Sequence, residues 1–102
     1  MNKSTPFGFS QNIIDQLISV FKQYPEIQSV LLYGSRAKGN FRPGSDIDLA
    51  IIAPDLSFNS FAGLCSKIED LPLIFKIDCV HLDHLKKEAL INNIQTEGKK
   101  IY

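Results

Sequence analysis

The chain has 102 residues, of which 44% are hydrophobic and 22% charged, a composition typical of one soluble globular domain. Its 11 basic and 11 acidic side chains cancel, which argues against binding of nucleic acid through bulk charge. No apolar run approaches the roughly 18 residues needed to span a bilayer, and the first residues lack the apolar segment of a secretory signal. We therefore expect a single domain over residues 1–102, with no membrane partner and no direct nucleic-acid partner.

The chain has two cysteines, Cys65 and Cys79, and neither lies in a CxxC or Cys/His ligand spacing. Both are expected to be small core residues. This usage favours a reducing, cytoplasmic compartment.

Hydrophobic periodicity and turn residues predict helices that alternate with strands. The predicted elements are, in chain order, a loose lead-in over residues 1–9, a helix over 11–24 capped by Ser10, a buried strand over 27–33, a turn with a short helix over 34–39, a loop over 40–45, a strand over 46–53, a helix over 58–71, a strand over 73–82, a helix over 84–96 capped by Asp83, and an edge strand over 99–102. This order predicts an α/β fold in which helices pack on a small, mixed β-sheet.

Two acidic residues stand two positions apart at the start of the second predicted strand. Residues i and i+2 of a strand point to the same face, so Asp46 and Asp48 should project side by side. They repel each other unless a cation lies between them, and their hard oxygens suit Mg²⁺ or Mn²⁺. A third acid, Asp78, lies in an apolar strand, where a carboxylate is costly to bury unless it forms a salt bridge or binds metal.

A Gly-Ser pair follows the first predicted strand. Gly34 lets the backbone approach a ligand closely, and Ser35 offers a hydroxyl where a short helix begins, an arrangement that suits phosphate. The same pair also fits an ordinary strand-to-helix turn. Three nearby cations are interpreted either as nucleotide-phosphate ligands or as solvated surface groups: Arg36, Lys38 and Arg42.

A Gly-Ser pair, ten residues and then Asp-x-Asp, with a further aspartate on a later strand, resembles the minimal nucleotidyltransferases of the polymerase-β-like superfamily. The resemblance spans roughly residues 27–98, including the Gly-Ser-Arg-Ala-Lys-Gly and Ser-Asp-Ile-Asp-Leu stretches and the Glu-Gly-Lys-Lys ending. It implies that two Mg²⁺ ions are held by three acids: Asp46, Asp48 and Asp78.

The resemblance also implies a reaction. Gly34 and Ser35 would hold the β- and γ-phosphates of a nucleoside triphosphate, and the acceptor hydroxyl would attack the α-phosphorus while pyrophosphate leaves. Asp78 would share a metal ion and help to deprotonate the acceptor hydroxyl.

Chains of this length and pattern further resemble the antitoxin halves of HEPN/MNT toxin–antitoxin pairs. That resemblance implies transfer of AMP from ATP to a tyrosine of a HEPN toxin. Because the catalytic sheet alone leaves one side of the nucleotide open to water, we expect a second protein or a dimer mate to complete the site.

Other functions share parts of this pattern. A small-molecule nucleotidyltransferase, for example one acting on an aminoglycoside hydroxyl, would use the same acids. A non-catalytic module could instead block its partner sterically. A dinucleotide-binding domain would need G-x-G-x-x-G after its first strand, which Gly34–Gly39 does not supply. His81 and His84, with Asp83 between them, fit a strand end and a helix cap better than a metal site.

Overall fold

The computed structural model describes residues 3–102, in which four strands form one sheet. The elements are α1 (Gln11–Phe21), β1 (Ser29–Tyr33), α2 (Ser35–Lys38), β2 (Ile47–Ile52), α3 (Phe58–Glu69), β3 (Ile77–His81), a 3₁₀ turn (Leu82–His84), α4 (Glu88–Glu97) and β4 (Lys99–Lys100). The predicted order of helices and strands is therefore confirmed, including the edge strand near the end of the chain.

The strands lie in the order β3-β2-β1-β4. β1 runs antiparallel to both β2 and β4, whereas β2 and β3 run parallel. Parallel neighbours need a crossover connection, and α3 supplies it. The sheet is thus small and mixed, as the sequence predicted, and the end of β1 lies beside the start of β2.

One face of the sheet carries the main core. Alternate residues of the two central strands point to this face, where α1 and α3 cover them. The fully buried members of this core are Leu17, Phe21, Val30, Leu32, Ile47, Leu49, Ile51, Ala53 and Leu64. α4 lies against β1, with Ile94 fully buried outside the main core and Gly98 close to Leu31. Because Leu31 alternates with Val30 and Leu32, α4 covers part of the opposite face.

The lead-in is packed rather than loose, so that prediction was wrong for the residues that the structure describes. Ser4 forms an isolated antiparallel bridge with Ser10, and the Phe9 side chain is buried in the core. The reason is the guanidinium of Arg36, which binds the Phe7 carbonyl and lies over the Phe9 ring. The first two residues of the predicted lead-in lie outside the described part.

Element ends near β3 also differ from the prediction. β3 begins at Ile77 rather than at residue 73, and the side chain of Ile74 is exposed. The last helix begins at Glu88 because a 3₁₀ turn occupies residues 82–84. Asp83 does not cap that helix, since its Oδ2 accepts a hydrogen bond from the Ala53 amide at 2.8 Å. Ser10 precedes α1 as predicted, without a side-chain capping bond, and that helix ends at Phe21 rather than at residue 24.

No helix within residues 3–102 has both the length and the apolar character required to cross a membrane.

Candidate active site

The turn after β1 lies directly against the second strand. Gly34 has φ 76° and ψ −156°, a backbone conformation that side-chain-bearing residues rarely adopt. A Cβ atom at this position would lie 2.5 Å from Oδ2 of Asp48. The absence of a side chain therefore allows the Gly34–Ser35 turn to touch the acid, and Ser35 then begins α2.

The pairing of three strands forms a row of polar side chains. Tyr33 of β1 is the partner of Asp48 in β2, and Asp48 is in turn the partner of Asp78 in β3. Partner residues on neighbouring strands project from the same face of a sheet, so all three side chains lie on one side. Asp46 precedes Asp48 by two residues and is also half-buried. The sheet thus brings two of the predicted acids together, Asp48 and Asp78, with Asp48 against the Gly-Ser turn and Asp46 just before the start of β2.

Two groups in this row, Asp48 and Tyr33, have raised pKa values. Burial raises the pKa of Asp48, and the neighbouring charges of Asp78 and Asp46 raise it further, while Lys76 acts in the opposite direction. Burial and the charges of Asp48 and Asp78 also raise the pKa of Tyr33 to about 12. Burial is the largest cause of both pKa shifts, and the negative charges of the neighbouring acids add to it.

The donor set fits a hard divalent cation in its chemistry, because carboxylate oxygens are the ligands such ions prefer. Within residues 3–102, no three His, Cys, Asp or Glu side chains are already arranged as a complete metal site. Mg²⁺ commonly takes one or two carboxylates together with substrate phosphates and water, so an incomplete protein cage is compatible with it.

The crowding of acids predicts a stability cost at Asp48. Its raised pKa means that the folded chain binds this proton more tightly than the unfolded chain, whose pKa stays near the ordinary 3.8. Folding stability is therefore lost as the pH rises from the ordinary pKa of 3.8 through the raised pKa of the folded chain, and it stays reduced at higher pH. We expect Asp48→Asn to raise Tm by on the order of 2 °C at about pH 7, with the gain vanishing near about pH 3.

Thermal unfolding followed by circular dichroism at several pH values measures this effect. Asp55→Asn, which alters an exposed acid in the turn after β2, serves as the matched control and should leave Tm unchanged. A Tm for Asp48→Asn below that of the wild type at neutral pH would contradict the crowding.

Arg36 is neither a solvated surface group nor a free cation, although the sequence grouped it with Lys38 and Arg42. Its side chain is buried, with 1% exposed. Nε and Nη2 of Arg36 donate to the Ser45 carbonyl at 3.1 and 2.9 Å. Nη2 also donates to the Pro43 carbonyl at 3.3 Å, and Nη1 donates to the Phe7 carbonyl at 2.8 Å. Its guanidinium carbon lies 4.9–5.7 Å from the centres of three rings: Phe9, Phe41 and Phe75.

This arrangement fixes the 40–45 loop and the N-terminal segment around one planar cation. Guanidinium can satisfy several carbonyls and stack on aromatic rings at once, which an ammonium group cannot do. The buried cation needs these carbonyl partners because burial without them is costly. Arg36 therefore supports the loop that leads to Asp46.

We expect Arg36→Lys to lower the free energy of unfolding by about 2–3 kcal/mol, because carbonyls bound by the guanidinium lose their donors. Urea denaturation measures the change, and Arg42→Lys at an exposed position is the matched control. If Arg36→Lys kept its stability and lost only affinity for ATP, the residue would be a phosphate ligand after all.

The other two predicted cations remain at the surface. Lys38 Nζ lies 3.5 Å from a carboxylate oxygen of Glu97, with both side chains substantially exposed. The Arg42 side chain is exposed, while its backbone amide donates to Ser45 Oγ at 2.9 Å. Both side chains are therefore exposed to solvent.

The His81–His84 segment joins the end of β3 to the residue that follows β2. His81 Nε2 lies 2.7 Å from the Ala53 carbonyl oxygen, and its ring stacks on that of Phe61. Asp83 binds the amide of the same alanine. These contacts give the segment a structural role at the end of β2, whereas Asp46 and Asp48 lie at the start of that strand.

Two residues of the site were missed by the sequence analysis. Tyr33 stands directly before Gly34, and Lys76 stands two residues before Asp78, so both adjoin motifs that had been recognised. Their closeness to Asp48 follows from strand register and loop path. The spacing of residues in one sequence does not show that Tyr33 and Lys76 lie near Asp48.

Comparison with known proteins gives the class. Residues 15–102 match the family described as Polymerase beta, Nucleotidyltransferase. A Methanocaldococcus jannaschii protein named as a putative protein adenylyltransferase is 31% identical, over 74% of this chain and 79% of the relative. The chain therefore belongs to the polymerase β nucleotidyltransferase family, and it is a nucleotidyltransferase, as the Gly-Ser and Asp-x-Asp pattern predicted.

Two solved structures carry the likeness further. A chain in a crystal structure of a toxin–antitoxin with AMP-PNP superposes with a TM-score of 0.71 at 27% identity, covering 87% of this chain and 72% of that chain. A chain from the complex of a tri-AMPylated Shewanella oneidensis HEPN toxin with its MNT antitoxin gives a TM-score of 0.67 at 26% identity, covering 90% of this chain and 71% of that chain. The predicted resemblance to toxin–antitoxin nucleotidyltransferases is confirmed.

Proposed function

We propose that this chain transfers AMP from ATP to a tyrosine hydroxyl of a HEPN-family toxin and thereby acts as its antitoxin. The observation that carries the proposal is the pairing of Asp48 with Asp78 on one face of the sheet, with Asp48 against the Gly34 backbone and the charge of Asp46 acting on the pKa of Asp48. The relatives named above support the protein acceptor, since one is a toxin–antitoxin complex whose toxin is AMPylated.

Each group has a role in this proposal. Asp46, Asp48 and Asp78 would hold two Mg²⁺ ions, or Mn²⁺ in their place; nucleotidyltransferases of this fold generally use divalent metals. Bound ions would neutralise the charge that develops on the phosphates. Gly34 and Ser35 would bind the β- and γ-phosphates through the backbone and the hydroxyl.

The chain's own residues then position the reaction. The acceptor oxygen forms a bond to the α-phosphorus as the bond between that phosphorus and the pyrophosphate oxygen breaks. The hydroxyl proton passes to the carboxylate of Asp78, the edge-strand acid. Lys38 and Arg42, at the surface near the turn, are proposed to meet the leaving pyrophosphate, whereas Arg36 is left out because its donors are engaged in the interior.

Transfer from α-labelled ATP to the protein encoded beside this chain tests the proposal. We expect Mg²⁺-dependent labelling of a tyrosine, and a loss on the order of 100-fold or more in Asp46→Asn or Asp48→Asn, because the metal ligands act on the transition state. Asp55→Asn is the control and should retain full transfer. Labelling that persists in either active-site variant would contradict the assigned roles.

The same assay separates the other functions. Transfer to a small-molecule hydroxyl and to no protein would replace the protein acceptor but keep the chemistry. If a chain with all three acids changed to asparagine still neutralised its partner in cells, steric binding would account for the biology without catalysis.

A further inference from the structure

The two cysteines of the chain meet between α3 and β3. Cys79 is the register partner of Leu49, whose side chain is fully buried in the core, so the Cys79 side chain points to the face that α3 covers. Cys65 follows the buried Leu64 on α3, and its thiol lies within hydrogen-bonding reach of the Cys79 thiol. Both are free thiols, and neither is fully buried. The sequence predicted two core residues and did not show that they form a pair.

The segment between the two cysteines connects α3 to β3. Within the described sheet β3 is an edge strand, paired with β2 on one side only. A bond between the cysteines would close a loop of about 15 residues and tie this edge strand to the helix. Closing such a loop removes conformational freedom from the unfolded chain, which stabilises the folded one.

The contact between the thiols makes Cys65 the more reactive of the two. The hydrogen bond with Cys79 lowers the pKa of the Cys65 thiol, while burial and the charge of Glu69 act in the opposite direction. Cys65 is also the less buried of the pair, so an oxidant reaches it first. Because the thiolate is the nucleophile, Cys65 is suited to attack the oxidant and Cys79 to react with the oxidised product.

We propose that Cys65 and Cys79 are a peroxide-sensitive pair that forms a reversible, stabilising disulfide between α3 and β3. The Cys65 sulfur attacks one oxygen of hydrogen peroxide, the O–O bond breaks, and water leaves with the thiol proton, which gives a sulfenic acid. The Cys79 sulfur then attacks the Cys65 sulfur, the S–O bond breaks, and a second water carries away the Cys79 proton. Two thiols are thus oxidised to one disulfide while one peroxide is reduced to two waters, and a dithiol reverses the change. This inference does not rest on the proposed AMP transfer.

Mass spectrometry of the full chain, first reduced and then treated with hydrogen peroxide, tests the inference. We expect the intact mass to fall by two hydrogen atoms and both thiols to stop reacting with a thiol reagent. Trypsin cleaves after Lys67 and Lys76, which places Cys65 and Cys79 on different peptides, so a linked pair of peptides identifies the bond. Dithiothreitol should restore the separate peptides.

Thermal unfolding followed by circular dichroism gives a second readout. The oxidised wild type should have a Tm at least about 5 °C above that of the reduced wild type, because the closed loop restricts the unfolded chain. Cys65→Ser and Cys79→Ser are the matched controls, and neither should show this rise after peroxide.

The peptide map of the wild type decides the outcome even if a serine variant folds poorly. Peroxide treatment that leaves both thiols free, adds oxygen to single cysteines without linking them, or links one chain to another would overturn the pair. A chain linked between Cys65 and Cys79 whose Tm does not rise would overturn the stabilising role of the disulfide.

Discussion

The burial of Asp48 beside other carboxylates is the constraint on which the site depends. Hydrogen-bonded strand pairing holds Asp48 opposite Asp78, and chain geometry keeps Asp46 two residues away. Burial and the charges of Asp78 and Asp46 both disfavour the ionised form of Asp48. The fold therefore has a lower free energy of unfolding than it would have without this buried acid.

The rest of the molecule holds that site in place. The apolar residues of β1 and β2 that face α1 and α3 fix the register of the two strands, because a shift of one residue would turn Asp48 into the core. On the approach to Asp46, Arg36 fastens the preceding loop to the N-terminal segment. Gly34 allows the Gly-Ser turn to lie against Asp48.

The sequence predicted the mixed α/β fold, because hydrophobic periodicity and turn residues are local patterns. It grouped Asp48 with Asp78, and strand register pairs these two residues. It did not predict the burial of Arg36, because the carbonyls and rings around that side chain come from other segments of the chain. Tyr33 was missed because only strand register sets it beside Asp48. The start of the last helix was misplaced because Asp83, a good helix cap by residue type, bonds instead to the end of β2.

Binding of Mn²⁺ in the presence of a non-hydrolysable ATP analogue, followed by electron paramagnetic resonance, tests most directly whether the three acids form one cation site. The account predicts about two bound ions per chain in the wild type. It also predicts that replacing Asp48 by asparagine, with the fold intact, abolishes that binding. Equal Mn²⁺ affinity in the wild type and in a chain lacking all three carboxylates would contradict it.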